Sequence, residues 1–279
     1  MSGVVLLTGA TGFVGRQVLQ ALNERGAAIR AVVRGGKQDH LPTTKCLESV
    51  VASPDLFAEQ ASWWAMVCNG VDTVIHAAWH VKAPTYLRSP KNLDCLTGTL
   101  NLAKGAAQAE VRRFVGIGTC FEYDLTEGKL SVATPLRPLT PYAGAKAAAF
   151  MALSQWLPEQ SVEFAWCRLF YLYGEGEDGR RLVPYLRAQL AAGQAAELTS
   201  GNQVRDYLDV RDAGRMIADV ALGAVQGPVN ICSGVPVTVR QLAERIADEY
   251  GRRDLLHFGG REENEVDPPY VVGVRGELS

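Results

Sequence analysis

The segment that most constrains this chain is Thr8-Gly-Ala-Thr-Gly-Phe-Val-Gly15. It follows directly on a β-branched apolar run, Val4–Thr8, and leads into Phe13–Arg25, where Val14, Val18 and Leu22 share one helical stripe. Glycines at 9, 12 and 15 let the backbone turn sharply and approach a pyrophosphate, while the N–H groups and dipole of the following helix stabilise its charge. In this strand–loop–helix setting the spacing reads as a dinucleotide phosphate loop; elsewhere the same glycines would be only a turn. Gly9, Thr11, Gly12, Phe13, Val14 and Gly15 are the expected contacts.

The rest of the chain keeps the matching rhythm. Short apolar runs at Ile29–Val33, Val71–His76, Arg113–Gly118 and Phe164–Phe170 alternate with helical stretches at Leu93–Ala107 and Pro141–Leu157. Strand–helix alternation implies right-handed crossovers and an α/β, Rossmann-type doubly wound parallel sheet. After Gly174 the pattern loosens, and a small C-terminal α/β substrate-binding lobe is expected. Residues 1–170 then form the cofactor-binding domain, completed by about 206–224, with 171–205 and 225–279 in the lobe.

Composition removes several alternatives. With 28 Lys+Arg against 30 Asp+Glu, the net charge of −2 argues against a general nucleic-acid or anionic-membrane binder. No apolar stretch approaches the ~20 residues of a membrane span. The six cysteines include no C-x-x-C pair and read as free thiols in a reducing compartment, so a soluble cytoplasmic protein is expected.

Two further constellations carry chemistry. An acidic residue about 20 positions past the loop would take the ribose 2′-hydroxyl of NAD. Arg34 stands at that place, in Val32-Val-Arg-Gly-Gly-Lys37. A guanidinium pairs with a 2′-phosphate, which favours NADP(H) and leaves NAD possible. Tyr142-Ala-Gly-Ala-Lys146 sets a phenol and an ammonium at i and i+4 on one helix face, where the cation is expected to lower the phenol's pKa. Such a Tyr passes a proton to a carbonyl oxygen as hydride reaches carbon. Thr119, at the carboxyl end of its strand, is placed to hold the same oxygen.

With these residues in order, the chain resembles an extended short-chain dehydrogenase/reductase of the NAD-dependent epimerase/dehydratase type, which works on sugar nucleotides. The likeness runs through nearly the whole chain: Thr8–Gly15, Asp55-Leu56, His76-Ala-Ala78, Gly118-Thr-Cys-Phe-Glu-Tyr123, Tyr142–Lys146, Arg168–Gly174, Arg205–Val210 and Val229–Gly234. The resemblance implies that Thr119, Tyr142 and Lys146 are catalytic, that Asp55 and Leu56 contact adenine, and that Ala77 and Ala78 line the cofactor. It also implies that Arg205 pairs with a substrate diphosphate, and that relatives often form homodimers through helices near the catalytic one. Relatives usually continue beyond the equivalent of Asp267–Gly273, so the lobe is expected to be small.

Departures from the family pattern narrow the reaction. Similar 4,6-dehydratases carry Asp-Glu after the catalytic Thr, where this chain has Cys120-Phe121, so water elimination is not expected. Epimerase–reductases that form GDP-fucose use a Cys and a His. Cys120 lies one place from that Cys, and none of the histidines (40, 76, 80, 257) lies in the matching segment after Tyr142. Hydride chemistry at one carbon remains: NADPH-dependent 4-ketoreduction of a 4-keto-6-deoxyhexose, or, as the alternative, an NAD-dependent 4-epimerase. A non-catalytic redox sensor would lack the Tyr or the Lys, and both are present. His80 and Glu122 are candidates to hydrogen-bond the sugar.

Overall fold

The computed structural model describes residues 3–42, 44–82, 84–262 and 268–276; Asp267 lies outside them. Its centre is a seven-stranded sheet. β1 (Val4–Thr8), β2 (Ile29–Arg34), β3 (Leu47–Ser53), β4 (Val71–His76) and β5 (Arg113–Thr119) are joined by strands Glu163–Leu169 and Gly227–Ile231. From one edge the order is Gly227–Ile231, Glu163–Leu169, β5, β4, β1, β2, β3, and every pair is parallel. The chain reverses direction across the sheet between β1 and β4, which is where doubly wound sheets open a crevice for ligands. The loop after β1 and the residues after β4 both face that point.

Helices cover both faces. α1 (Phe13–Glu24) lies on one face, and α2 (Ala61–Val67), α3 (Lys91–Gln108) and α4 (Pro141–Glu159) lie on the other. α5 (Leu182–Ala191) belongs to the lobe, whereas α6 (Val210–Leu222) returns to pack beside α1. The α1–α6 contact is close because a Cβ at Gly214 would stand 2.7 Å from the Gln17 carbonyl carbon. Val18, Leu22, Ile217 and Val220 fill this layer, Trp64, Leu102, Leu153 and Trp166 the opposite one, all fully buried or nearly so. Each such side chain contributes roughly 1.5–3 kcal/mol over its exposed state.

The lobe is built on Val204–Asp209, which pairs with Pro236–Thr238, Tyr270–Gly273 and Tyr171–Tyr173. Lys129–Leu130 extends the same sheet beyond Tyr270–Gly273. α5 and α7 (Val239–Asp248) enclose a small core of Val183, Leu186, Leu242 and Ile246. Two boundaries differ from the sequence reading. Gly227–Ile231, assigned there to the lobe, is the edge strand of the main sheet, because Val229 and Ile231 are buried against its core. Lys129–Leu130, inside 1–170, instead serves the lobe. β3 and α2 are additions that the sequence reading did not anticipate.

Candidate active site

The glycine loop has the shape that a phosphate cradle requires. Gly9 adopts φ +76°, and a Cβ there would sit 2.7 Å from the Ala78 amide nitrogen. A Cβ on Gly15 would meet the Gly9 carbonyl oxygen at 2.0 Å. Gly12 precedes α1 in extended conformation with no side chain capping the helix, so the first N–H groups of α1 remain available to an anion. Gly12 N–H also donates to Gly9 O at 2.9 Å, which closes the turn. A pyrophosphate fits this cradle, and Thr11, Phe13 and Val14 line the same turn.

His76 locks the loop to β4. Its Nδ1 pairs with Thr8 Oγ1 at 2.8 Å and its Nε2 with Thr99 Oγ1 at 2.9 Å. Burial holds its pKa down at about 3, so the ring is neutral and structural. Thr8 Oγ1 in turn accepts the Ala78 N–H at 3.2 Å, which fixes Ala77 and Ala78 beside the glycines. Asp55 sits exposed in a turn with Oδ1 accepting the Phe57 N–H at 3.1 Å, and Leu56 is partly buried against the core. Arg34 is exposed at the end of β2.

Tyr142 occupies the first turn of α4. That helix starts here because Thr140 caps it, Oγ1 accepting the Ala143 N–H at 3.2 Å, and Pro141 supplies a first residue that needs no N–H partner. Buried alanines at 143, 145, 147 and 149 let α4 lie close on the sheet. Thr119 lies near enough to the phenol to draw its pKa down. Thr119 Oγ1 already accepts the Phe121 N–H at 3.3 Å, so its own proton is free to point at the phenol oxygen. Lys146, one turn along, is buried; its Nζ donates to Ile117 O at 2.5 Å and lies 3.7 Å from the centre of the Trp79 ring.

The expected acidification of Tyr142 by Lys146 is not what the structure holds. Burial pushes the Tyr142 phenol well above the ordinary phenol range, reinforced by Tyr86 and Glu122, with only Thr119 opposing. Burial likewise brings Lys146 down to about 7, despite the nearby Glu122 carboxylate. Desolvation of both groups outweighs their mutual help, because the ammonium turns to a backbone carbonyl and an indole. The result is a phenol that keeps its proton at neutral pH and a lysine poised between charge states.

The three proposed substrate contacts fare differently. Glu122 is fully buried, accepting from Thr119 N at 2.8 Å and Trp166 Nε1 at 3.0 Å and pairing with Arg168 Nε at 2.7 Å. It is committed to the fold beneath Thr119, not directed at a sugar. Space for this ion pair comes from Gly118, where a Cβ would stand 2.4 Å from Glu122 Oε1. His80 lies in the field of Lys91, Arg34 and Lys82, and burial with these cations holds its pKa down. The neighbouring Trp79 is the residue that meets Tyr142, at a ring separation of 6.4 Å. Arg205 is buried on its strand, with its guanidinium 5.2 Å from the Tyr171 ring and close enough to lower the pKa of the Cys120 thiol. Burial nevertheless leaves Cys120 far above the ordinary thiol range, hence a thiol and not a thiolate.

Known proteins resemble this chain in sequence and in fold. At 24% identity, 88% of the chain aligns with 90% of a dTDP-6-deoxy-L-talose 4-dehydrogenase (NAD(+)) from Aggregatibacter actinomycetemcomitans. A GDP-6-deoxy-D-mannose reductase from Pseudomonas aeruginosa is 31% identical over 63% of this chain and 62% of its own length. Among solved structures, MoeE5 in complex with UDP-glucose and NAD superposes with a TM-score of 0.81 at 26% identity, covering 99% of this chain and 91% of that one. The family model of the NAD dependent epimerase/dehydratase family matches residues 5–232, and the chain belongs to that family.

Proposed function

We propose that the protein is an NADPH-dependent 4-ketoreductase of a nucleotide-linked 4-keto-6-deoxyhexose, with Tyr142 as general acid. The observation that carries this reading is the Tyr142 phenol, near Thr119, one helical turn from Lys146 and in ring contact with Trp79, with its pKa raised by burial and no carboxylate at 120 or 121. A group that holds its proton at neutral pH is suited to give it to a carbonyl oxygen. As that oxygen gains charge, Tyr142 Oη delivers the proton, and the Thr119 hydroxyl hydrogen-bonds the phenolate left behind. Lys146, near its midpoint at pH 7, can take up a proton and become the cation beside it. Reduced nicotinamide, when bound, supplies the hydride.

Other features support the details. The talose dehydrogenase and mannose reductase relatives are named for nucleotide-linked 6-deoxyhexoses, which supports the same substrate class here. For the cofactor, Arg34 at the β2 end and Lys82 and Lys91 all act on His80, a local positive field that suits a 2′-phosphate. Asp55 and Leu56 would meet the adenine, Ala77 and Ala78 the cofactor's flank, and Arg205 the substrate diphosphate. Exposed Leu93 on α3 and Met151 on α4 support pairing of these helices in a homodimer. Among the described residues no helix is long and apolar enough to cross a membrane, and the six cysteines are free, in keeping with a cytoplasmic enzyme.

The test is NADPH oxidation against a panel of 4-keto-6-deoxy sugar nucleotides, with NADH in parallel and NMR of each product. Net reduction at C4 with higher kcat/KM for NADPH is expected. Tightly bound NAD with epimerisation and no net NADPH consumption would assign the protein as a 4-epimerase instead.

A further inference from the structure

A second phenol stands over Tyr142. Tyr86 lies on the short turn Tyr86–Arg88 between β4 and α3. Its ring meets that of Tyr142 edge to face, with centroids 5.1 Å apart at 81°. Arg181, at the start of α5, lies close enough to the Tyr86 phenol for its charge to oppose the burial that raises the phenol's pKa. Arg181 in turn faces the Glu177 carboxylate at 3.7 Å, on a side chain that is only 6% exposed. The second oxygen of that carboxylate, Oε2, is buried without a hydrogen-bond partner among the described residues.

The backbone of this turn is equally fixed. Fully buried Asn92 donates from Nδ2 to Tyr86 O at 2.7 Å and to Ser89 O at 2.9 Å, while its Oδ1 accepts from Trp79 Nε1 at 2.9 Å. One amide therefore clamps both aromatic walls of the site, the indole over Lys146 and the phenol beside Tyr142. A phenol carries a single proton. With the Arg181 cation beside the phenol, that proton is turned away from Arg181 and left to be donated.

We propose that Tyr86 is a second hydroxyl donor to the substrate, bonding the ring hydroxyl next to the carbon that Tyr142 serves, with Arg181 and Glu177 as its positioning residues. The inference rests on the ketoreductase reading and adds the contact that selects the sugar. In a 6-deoxyhexose attacked at C4, the only adjacent ring hydroxyl is the one on C3. A site built to bond a hydroxyl discriminates against the analogue that lacks it, since the donor is then left unpaired.

Calorimetry on the NADP⁺-loaded enzyme tests this, with dTDP-, UDP- and GDP-linked 6-deoxyhexoses and the 3-deoxy analogue of whichever binds. Tyr86→Phe should weaken binding of the 3-hydroxy ligand about tenfold, the scale of one lost hydrogen bond, and leave the 3-deoxy ligand and NADP⁺ unchanged. In turnover the loss should fall on KM and spare kcat. Arg181→Met should reproduce the selective loss, and Arg181→Lys, which keeps a cation beside the phenol, should restore most of it. Equal loss for both ligands, or none, overturns the role of Tyr86 alone. Wild-type protein that binds NADP⁺ but no nucleotide sugar overturns the substrate reading, and the Tyr86 assignment with it.

Discussion

Replacing Lys146 with methionine should make the cofactor-free protein more stable, and by an amount that depends on pH. The ammonium is buried with one backbone acceptor, Ile117 O, and the Trp79 ring, and its pKa falls from 10.5 to about 7. At ~1.4 kcal/mol per tenfold change this is a penalty of about 5 kcal/mol against the folded state. The sign follows from the depressed value: the unfolded chain holds the proton up to 10.5, the folded one only to about 7. The penalty is therefore full below pH 7 and is lifted as pH rises towards 10.5, with about 3 kcal/mol gone between pH 6 and pH 9. Methionine has nearly the same length and no charge, but leaves the Ile117 carbonyl short of a donor, which costs about 1–2 kcal/mol. Lys146→Met should then exceed wild type by about 3 kcal/mol at pH 6, roughly 6 °C in Tm, and match it near pH 9. Urea unfolding of the cofactor-free proteins at the two pH values reads the difference. A variant less stable at pH 6, or an offset that does not change with pH, would refute the buried, discharged lysine.

Three other outcomes follow from the same geometry. Tyr142→Phe should cut turnover by ~10²–10⁴ while NADPH affinity, measured by fluorescence titration, stays within about twofold; unchanged turnover would remove Tyr142 from the proton transfer. Gly15→Ala should cost more than tenfold in NADPH affinity, because the new methyl would lie 2.0 Å from the Gly9 carbonyl oxygen and push the phosphate turn open. Retained affinity would place the cofactor elsewhere. Glu122→Gln should destabilise the protein by about 3–5 kcal/mol at pH 7, since it leaves the Arg168 guanidinium, only 1% exposed, without its anion. A loss below about 1 kcal/mol in urea would contradict that pairing.

What the sequence could reveal was set by how local each signal is. The glycine turn and the Tyr142–Lys146 pair are read over a few residues, and in the fold the glycines sit at the start of α1 and both side chains lie on α4. β3 carries no buried apolar run to mark it in the sequence, because several of its residues are exposed at the sheet edge. Nothing in the five residues Gly227–Ile231 says which sheet they join; that is decided by pairing with Glu163–Leu169.

The site itself shows the same division, and charge is where local reading misled. Residues four apart on a helix suggested an ammonium acidifying a phenol, yet the side chains that set both protonation states come from remote segments. Trp79 covers Lys146, Tyr86 stands against Tyr142, and Glu122 reaches across to Arg168 and Trp166, 46 and 44 residues away. Burial is a property of that assembled shell, and it moves both groups towards their neutral forms more strongly than a neighbour on one helix face can oppose. One signal for the shell was present: glycines at 116 and 118 inside a buried strand mark a close approach by large groups. In the fold these are the Trp166 indole at both and the Glu122 carboxylate at Gly118. Tyr86 left no such trace, since a tyrosine in a connecting turn acquires its role only when β4, α3 and α5 bring Asn92 and Arg181 to it. The Tyr–Lys pairing is therefore written locally, while the charge states of its two groups and the surroundings of Tyr86 depend on contacts that only the folded chain creates.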